Sequence, residues 1–559
     1  MGWLANPSVN RRSPVLHVAN SPAIFAAMRA ATLISCLLAG FPPLACATPA
    51  PGSVAVLYNS AIPESRQLAE LYRDSRDIPP ENLIGLKMPV TADVSRQDYV
   101  ETIAKPLRAE FDRRGWWQRG RDRSGVTTPL ANKIQVLVTM RGVPLRIQQT
   151  PKPAPTANGN NAPKAPAKDP LADRDEASVD SELAMFGVEG LPTVGVLQNK
   201  YYQFDRGFAE AAMPFLILTA RIDAATHATC ERMIRDALET EKTGLWGMAY
   251  VDVANKYPQG DQWLEAIVKS NNRTGIPTVV DRFNETLPKN YPMESAAVYF
   301  GWYDWNVNGP LLNPRFRFRK GAVAAHLHSY SAQQLSNSTQ NWCAPLLERG
   351  AAVSVGNVFE PYLHLTHDLG LLYQRLLDGR SWVEACWTAM PVTSWQGVVL
   401  GDPLYQPFRH LAGTGNVTEE DREFRALRAA ALKWPASPAE RRSQLDQAAE
   451  RMKSGVIAEA VGLELLSLGL NAEAVARFRT AKSLYTHTED KLRQDFHVIA
   501  MDRTAQRKDL ALRGLRDAQA IYGPIPEADS LAAWINILEP PPPPPANNGK
   551  PANNAANRK

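Results

Sequence analysis

Cysteine is scarce in this 559-residue chain, with five in all, and no two are spaced Cys-x-x-Cys. Zinc ribbons and thioredoxin-type redox centres need that spacing, so its absence argues against both. An excess of one charge is also missing. Sixty-two basic and 57 acidic residues leave a formal net charge of +5, and the Lys and Arg side chains are interspersed with acids. Nucleic-acid partners need a concentrated basic patch, so this balance argues against that class. Nowhere does an apolar run reach the ~20 residues of a membrane-spanning helix.

What is present begins with an export signal. Ala30 to Gly40 is an apolar run preceded by Arg29 and closed by Pro42-Pro43, and Ala45-Cys46-Ala47 fits the small-x-small cleavage rule. This predicts an N-terminal extension plus signal peptide over 1–47, with Met28 as an alternative start and Thr48 as the first mature residue. The expected destination is the periplasm or the outside of the cell. Arg11-Arg12 lies too far upstream of the run for twin-arginine export, and Pro43 stands where a lipoprotein site at Cys46 needs an aliphatic residue. Of the cysteines, Cys230, Cys343 and Cys386 then remain, enough for one disulfide at most.

The mature chain opens on Ser53 to Ser60, an almost continuous apolar run ending in small polar residues, as in a strand buried on both faces. A helix carrying Leu68, Leu71 and Tyr72 follows, then a short strand at Leu83 to Leu86. From Ser95, Tyr99, Ile103, Leu107 and Phe111 recur every four residues, giving one apolar stripe on a helix that Pro106 should kink. Further strands are expected at Lys133–Thr139, Phe215–Thr219, Trp246–Val253, Ala296–Phe300, Ala322–Leu327, Ala351–Val355 and Val398–Leu400, with Thr226 capping a helix. Alternating strands and helices predict an α/β domain over 48–412: a doubly wound, mostly parallel, Rossmann-like sheet in three layers. A Pro-, Ala-, Asn- and Lys-rich stretch at 150–172 interrupts it as a disordered insertion.

Residues 413–538 read as entirely helical. Ala474, Phe478, Ala481 and Tyr485 are matched 37 positions later by Ala511, Leu515, Ala518 and Tyr522. This pattern resembles the second helix of a tetratricopeptide repeat, whose period is ~34. So few units cannot bury their own faces, so they should pack on the α/β domain or on a partner. A Pro- and Asn-rich solvated tail occupies 539–559.

Ligands of parallel sheets bind beyond the carboxyl ends of the strands. Those places hold Asn59, Arg141, Arg221 with Asp223, Gly301-Trp302-Tyr303, His328 with Ser329 and Ser331, Asn357 with Glu360, and Asp402. On a strand His326 and His328 face one side. They can ligate a metal, His328 can act as a general base toward a nearby hydroxyl, or the two can be hydrogen-bonded core histidines. Neither Ser329 nor Ser331 lies in a Gly-x-Ser-x-Gly elbow. Arg221 and Asp223 form either a structural ion pair or a substrate clamp, whereas Arg141 is placed for an anionic ligand. Asp180 and Glu182 can join the same mouth, without the spacing of a Ca²⁺ loop. Cys343 and Cys386 sit among apolar neighbours, where cysteine is usually inert. Trp302, Tyr303 and Trp305 either stack on sugars or anchor a loop.

Val54–Ser60, Arg141-Gly-Val-Pro144, Val179-Asp-Ser-Glu-Leu183, His326–Ser331, Gly356–Pro361 and Gly401-Asp-Pro-Leu-Tyr405 together resemble a family of exported bacterial proteins found alongside exosortase-type sorting and exopolysaccharide systems. The resemblance spans roughly residues 53 to 410 and implies a cell-envelope setting without an activity. More distantly, the order of elements is similar to the caspase-like gingipain peptidases. In those, one strand ends in His-Gly, the next in the catalytic Cys, and Gly-Asp-Pro closes the domain. Gly401-Asp402-Pro403 is kept here, but Gly301-Trp302 and His328-Ser329 stand where the dyad belongs. The resemblance therefore implies a degenerate relative or one with rebuilt chemistry.

Two readings follow. One is an exported hydrolase-like domain with Arg141, Asp223 and His328 as working groups, Ser329 or Ser331 as the hydroxyl, and Arg221, Asp180, Trp302, Glu360 and Asp402 binding substrate. The other is a non-catalytic binding or scaffold protein for an envelope protein or polysaccharide. Neither reading names a cofactor. Both require the strand ends to meet in one cleft.

Overall fold

The structure is a computed structural model describing residues 48–151, 171, 173–411 and 418–542. The expected signal segment, most of the 150–172 insertion and most of the Pro/Asn-rich tail lie outside the described residues.

Alternate residues of strand β1 (Val54–Asn59) enter two different cores. Val54 and Val56 pack with Leu68 and Tyr72, whereas Ala55 and Leu57 pack with Ile103, Leu107 and Phe111. A strand apolar on both faces needs cover on both, which is why the run is continuous instead of alternating. β2 (Leu83–Leu86), β3 (Val136–Met140) and β4 (Leu218–Ile222) complete a parallel block in the order β2-β1-β3-β4. Helix α1 (Pro63–Ser75) covers one face of it. On the other face, Ser95 caps its helix by accepting the Asp98 N–H at 3.0 Å. Where a kink at Pro106 was expected, a π-helical turn over Tyr99–Ala104 widens the helix just ahead of the proline, which supplies no N–H, and the helix continues to Arg113.

A second parallel sheet has the order β6-β5-β7-β8, from β5 (Met248–Asp252), β6 (Thr278–Asp281), β7 (Ala296–Gly301) and β8 (Val323–His326). The two sheets meet through β9 (Ser354–Asn357) and β10 (Gly397–Leu400). β10 runs parallel to β4, and β9 runs antiparallel to β10. On its other side the chain entering β9 bridges β8 in parallel, Val323 opposite Val353, with the Ala352 N–H on the Ala322 carbonyl at 2.9 Å. The expected parallel sheet is therefore two parallel blocks running in opposite directions. Their reversal lies between β9 and β10.

Helix α2 (His227–Thr243) explains how the chain changes direction. Thr226 caps it as expected, accepting the Thr229 N–H at 3.1 Å. Arg232 donates to the Leu347, Gly350 and Ala351 carbonyls just ahead of β9, and Glu239 holds Lys320 at 2.8 Å just ahead of β8. The helix thus passes along one edge, from the end of β4 toward the start of β5. It does not return across the face as a standard crossover helix does.

Beyond residue 418 every long element is a helix: α3 (Arg422–Lys433), α4 (Pro438–Met452), α5 (Gly455–Ser467), α6 (Asn471–Leu484), α7 (Thr488–Thr504), α8 (Lys508–Tyr522) and α9 (Asp529–Leu538). The repeated Ala474, Phe478 and Ala481 of α6 and Ala511, Leu515 and Ala518 of α8 are all buried. Inside this region Glu459 accepts from Arg493 at 2.7 and 2.8 Å, from His497 at 2.7 Å and from Tyr485 at 2.6 Å. Burial alone would raise its carboxyl, but Arg493 and His497 outweigh that and hold it well below the usual carboxylate range.

Of the two placements expected for so few repeat units, the helices take the first and rest on the α/β part. Arg428 of α3 lies 4.2 Å over the Trp246 ring and donates to the Leu245 carbonyl. Arg503 of α7 sits between Phe283, at 3.8 Å, and Trp534 of α9, at 4.4 Å, and pairs with Glu285. Arg503→Ala should cost about 2 kcal/mol through these two stacked contacts. The check is limited proteolysis, which should cut faster after α3 while the α/β fragment persists; wild-type cleavage kinetics would refute the stitching role.

Candidate functional site

A pocket of about 360 Å³ opens at the carboxyl ends of β7, β8 and β9. β7 supplies Trp302 and Tyr303, β8 supplies His328 and Ser329, β9 supplies Asn357 and Glu360, and Tyr257 arrives from beyond β5. Strand-end residues of this block therefore surround one cavity.

Two glycines make the pocket wall possible. At Gly260 a Cβ would lie 2.4 Å from the Trp302 ring, so its absence lets the indole seat against the helix that begins at Pro258, with Nε1 donating to Asp261 at 2.9 Å. At Gly301 a Cβ would meet the Tyr299 hydroxyl at 2.5 Å and His326 Nδ1 at 3.1 Å. Trp302 is buried, whereas Tyr257, Tyr303 and Trp305 are 54%, 39% and 55% exposed. Tyr303 and Trp305 hold the His328 ring between them, at 5.4 and 4.9 Å, and Trp305 also contacts Tyr330 at 5.1 Å.

His328 is buried as a residue, and burial lowers its pKa against the opposing pull of Glu360 and Asp304, keeping it neutral near pH 7. The Tyr330 N–H points at Nδ1 from 3.4 Å, and Nε2 has no partner among the described residues. With Nδ1 as acceptor, the single proton of the neutral ring is on Nε2. His328 therefore offers the pocket an N–H donor, the opposite polarity from a general base.

His326 is the last residue of β8 and is enclosed, whereas His328 lies two residues beyond the strand and lines the pocket. His326 lies against the Trp342 ring at 3.3 Å between centroids, its Nδ1 meets the Tyr299 hydroxyl at 3.0 Å, and its Nε2 accepts the Asp304 N–H at 3.2 Å. Both nitrogens are thus engaged, which leaves no histidine pair for a metal. Among the described residues no three His, Cys, Asp or Glu side chains converge as a metal site. Ser331 is also turned inward: its hydroxyl accepts the Asn357 N–H at 3.2 Å, away from the pocket. Cys343 is free and enclosed, and burial pushes its thiol up to about 12. Cys230 and Cys386 are likewise free and buried.

The remaining expected residues lie at the ends of the opposing block. Arg221, fully enclosed in β4, donates to Asp180 at 2.8 and 3.2 Å, to Asp223 at 3.2 Å, and to the Val143 and Pro144 carbonyls at 2.8 Å. Asp180 also receives the Thr139 hydroxyl at 2.7 Å. Burial lifts the Asp223 carboxyl above its ordinary range despite Arg221 and Arg141. Arg141 approaches Asp223 only to 3.9 Å and donates to the Ala224 carbonyl. Asp402 is buried too, bound by the Tyr72 hydroxyl at 2.9 Å and by Arg76. These five residues form two structural networks and line none of the His328 pocket.

Of the expected residues, the structure thus brings together Trp302, Tyr303, Trp305, His328, Ser329, Asn357 and Glu360, and adds Tyr257 and Tyr330. Tyr257 was within reach of the strand-end rule, five residues past Asp252. What the fold and site define is an α/β protein with an aromatic-walled pocket at the ends of one parallel block. No family model, curated protein or solved structure matches the chain.

Proposed function

We propose that this chain is an exported binding protein of the bacterial cell envelope whose pocket holds a segment of polysaccharide. The observation that carries the reading is the group of exposed aromatic side chains, Tyr257, Tyr303 and Trp305, around a neutral imidazole N–H donor. Sugar rings present C–H faces to aromatics and hydroxyls to donors and acceptors, and such exposed aromatics gathered in one place mark interaction sites. The resemblance to exported proteins of exopolysaccharide systems points the same way. The C-terminal helices, taken as tetratricopeptide-like pairs, would dock this domain to other envelope components. The caspase-like kinship fits a relative whose dyad is gone.

The hydrolase reading keeps one observation, that His328, Ser329 and Glu360 share the pocket. The proton on Nε2 and the removal of Arg141, Asp223 and Ser331 to other places weigh against it.

Titrating the mature chain with soluble exopolysaccharide fragments should quench tryptophan fluorescence saturably. Tyr303→Ala combined with Trp305→Ala should weaken binding by about tenfold or more, with circular dichroism unchanged. Unaltered affinity in that double variant, or saccharide cleavage abolished by His328→Ala, would overturn the binding reading.

A further inference from the structure

The pocket's unused polar groups are mostly acceptors. Glu360 makes no ion pair among the described residues, and the one hydrogen bond seen at its carboxylate is the Tyr362 N–H at 3.0 Å. Asn357 is 3% exposed; its amide Nδ2 donates to the Thr366 hydroxyl at 2.8 Å, which leaves Oδ1 buried without a partner among the described residues. Both residues line the pocket, and no Lys or Arg does. An orphaned carbonyl oxygen costs roughly 1–3 kcal/mol unless something donates to it. Arg174, 5.6 Å over the Tyr362 ring, is already held by Glu176 at 2.5 Å and stacked over Trp395. Asp304 adds a second negative charge facing His328.

We infer that the sugar taken by this pocket is an amino sugar carrying a free ammonium group, with Glu360 as its counter-ion and Asn357 Oδ1 as a further acceptor. This rests on the carbohydrate reading and gives it a chemical class. An ammonium is three donors with no acceptor, which matches two vacant acceptors better than a hydroxyl does. The surrounding rings favour it again, because a cation near the faces of Tyr or Trp is attracted by their quadrupoles. An anionic sugar would meet Glu360 with no cation lining the pocket to balance it. His328 Nε2–H is left to a ring or glycosidic oxygen, a role that an ammonium cannot fill and a sugar can.

The test is calorimetric titration of the mature chain at about pH 6 with three oligosaccharides of equal length, built from glucosamine, N-acetylglucosamine or glucose. The glucosamine oligomer should bind about tenfold more tightly than either of the others, the strength of a partly desolvated ion pair with cation–π support. Glu360→Gln, which preserves the acceptor for the Tyr362 N–H, should bring that ratio close to one. Tyr303→Ala should weaken all three. Equal binding of the three oligomers by the wild type would overturn the charge inference and leave the carbohydrate reading standing. Binding of none would remove both. A glucosamine preference that survives Glu360→Gln would also overturn the inference, as would Glu360-dependent capture of a lysine-rich peptide with no sugar bound.

Discussion

Arg221→Met should destabilise the chain by about 3–5 kcal/mol, the cost of leaving a buried charge without its partner. This guanidinium donates five hydrogen bonds, to two carboxylates and two backbone carbonyls, and none of its surface reaches water. Methionine fills the volume but leaves Asp180 enclosed with only the Thr139 hydroxyl and strips the Val143 and Pro144 carbonyls of their donor. Arg141→Ala is the control. Its side chain is 35% exposed and its approach to Asp223 is long, so about 1 kcal/mol or less is expected. Urea unfolding of the two variants compares them directly. Similar small shifts would show that the Arg221 network carries no structural weight and would reopen it as a ligand clamp. A large shift for Arg221 alone, with saccharide binding retained in Arg141→Ala, places this edge of the sheet in the scaffold.

The same residue shows where sequence reasoning stopped. The run at Phe215–Thr219 suggested a strand that ended before the charge, whereas β4 runs from Leu218 to Ile222 with Arg221 inside it. A charged residue normally marks a strand's exit; here Asp180, forty-one positions earlier, neutralises it within the sheet. β6 was missed for a different reason: it is four residues long and sits at the edge, with only Val279 and Val280 apolar. The continuous runs at Val54, Val136, Ala296 and Val323 were legible because burial on both faces leaves no alternation to misread. Strand direction was not legible at all. Apolar runs carry no polarity, and the reversal is set by α2 passing along an edge and by the antiparallel β9–β10 pair. That one feature sends Arg141, Arg221, Asp223 and Asp402 to one edge and Trp302, His328 and Glu360 to the other, splitting a cleft that the sequence joined. The half of the site that survived was found through strand ends rich in aromatic and polar residues. Ser331 was lost because the turn at Ser329 and Tyr330 carries its hydroxyl onto the Asn357 N–H, and His326 because Trp342, Tyr299 and the Asp304 N–H enclose it.

Acid should destabilise this fold through His367, just beyond the pocket. The imidazole is 1% exposed, neither ring nitrogen has a hydrogen-bond partner among the described residues, and burial alone lowers its pKa to about 4. An unfolded histidine takes up its proton near 6.5, so between about pH 6.5 and 4 the unfolded chain binds a proton that the folded chain refuses. The stability tied to the neutral ring is complete above that window and is lost as the pH falls through it. The gap between the two pKa values corresponds to about 3 kcal/mol. His326 and His328 are shifted downward as well, so wild-type stability should fall steeply across this range. His367→Leu removes one titrating group and one pair of unsatisfied nitrogens, in a space where the ring already packs 3.3 Å from the Cβ position of Gly397. Its stability should therefore change less with pH, by about 3 kcal/mol between pH 6.5 and 4, as read from urea midpoints at closely spaced pH values. Curves for variant and wild type that run parallel over this window would mean that the folded chain accepts the proton at His367 as readily as the unfolded one. The enclosure of the ring would then have to open in solution.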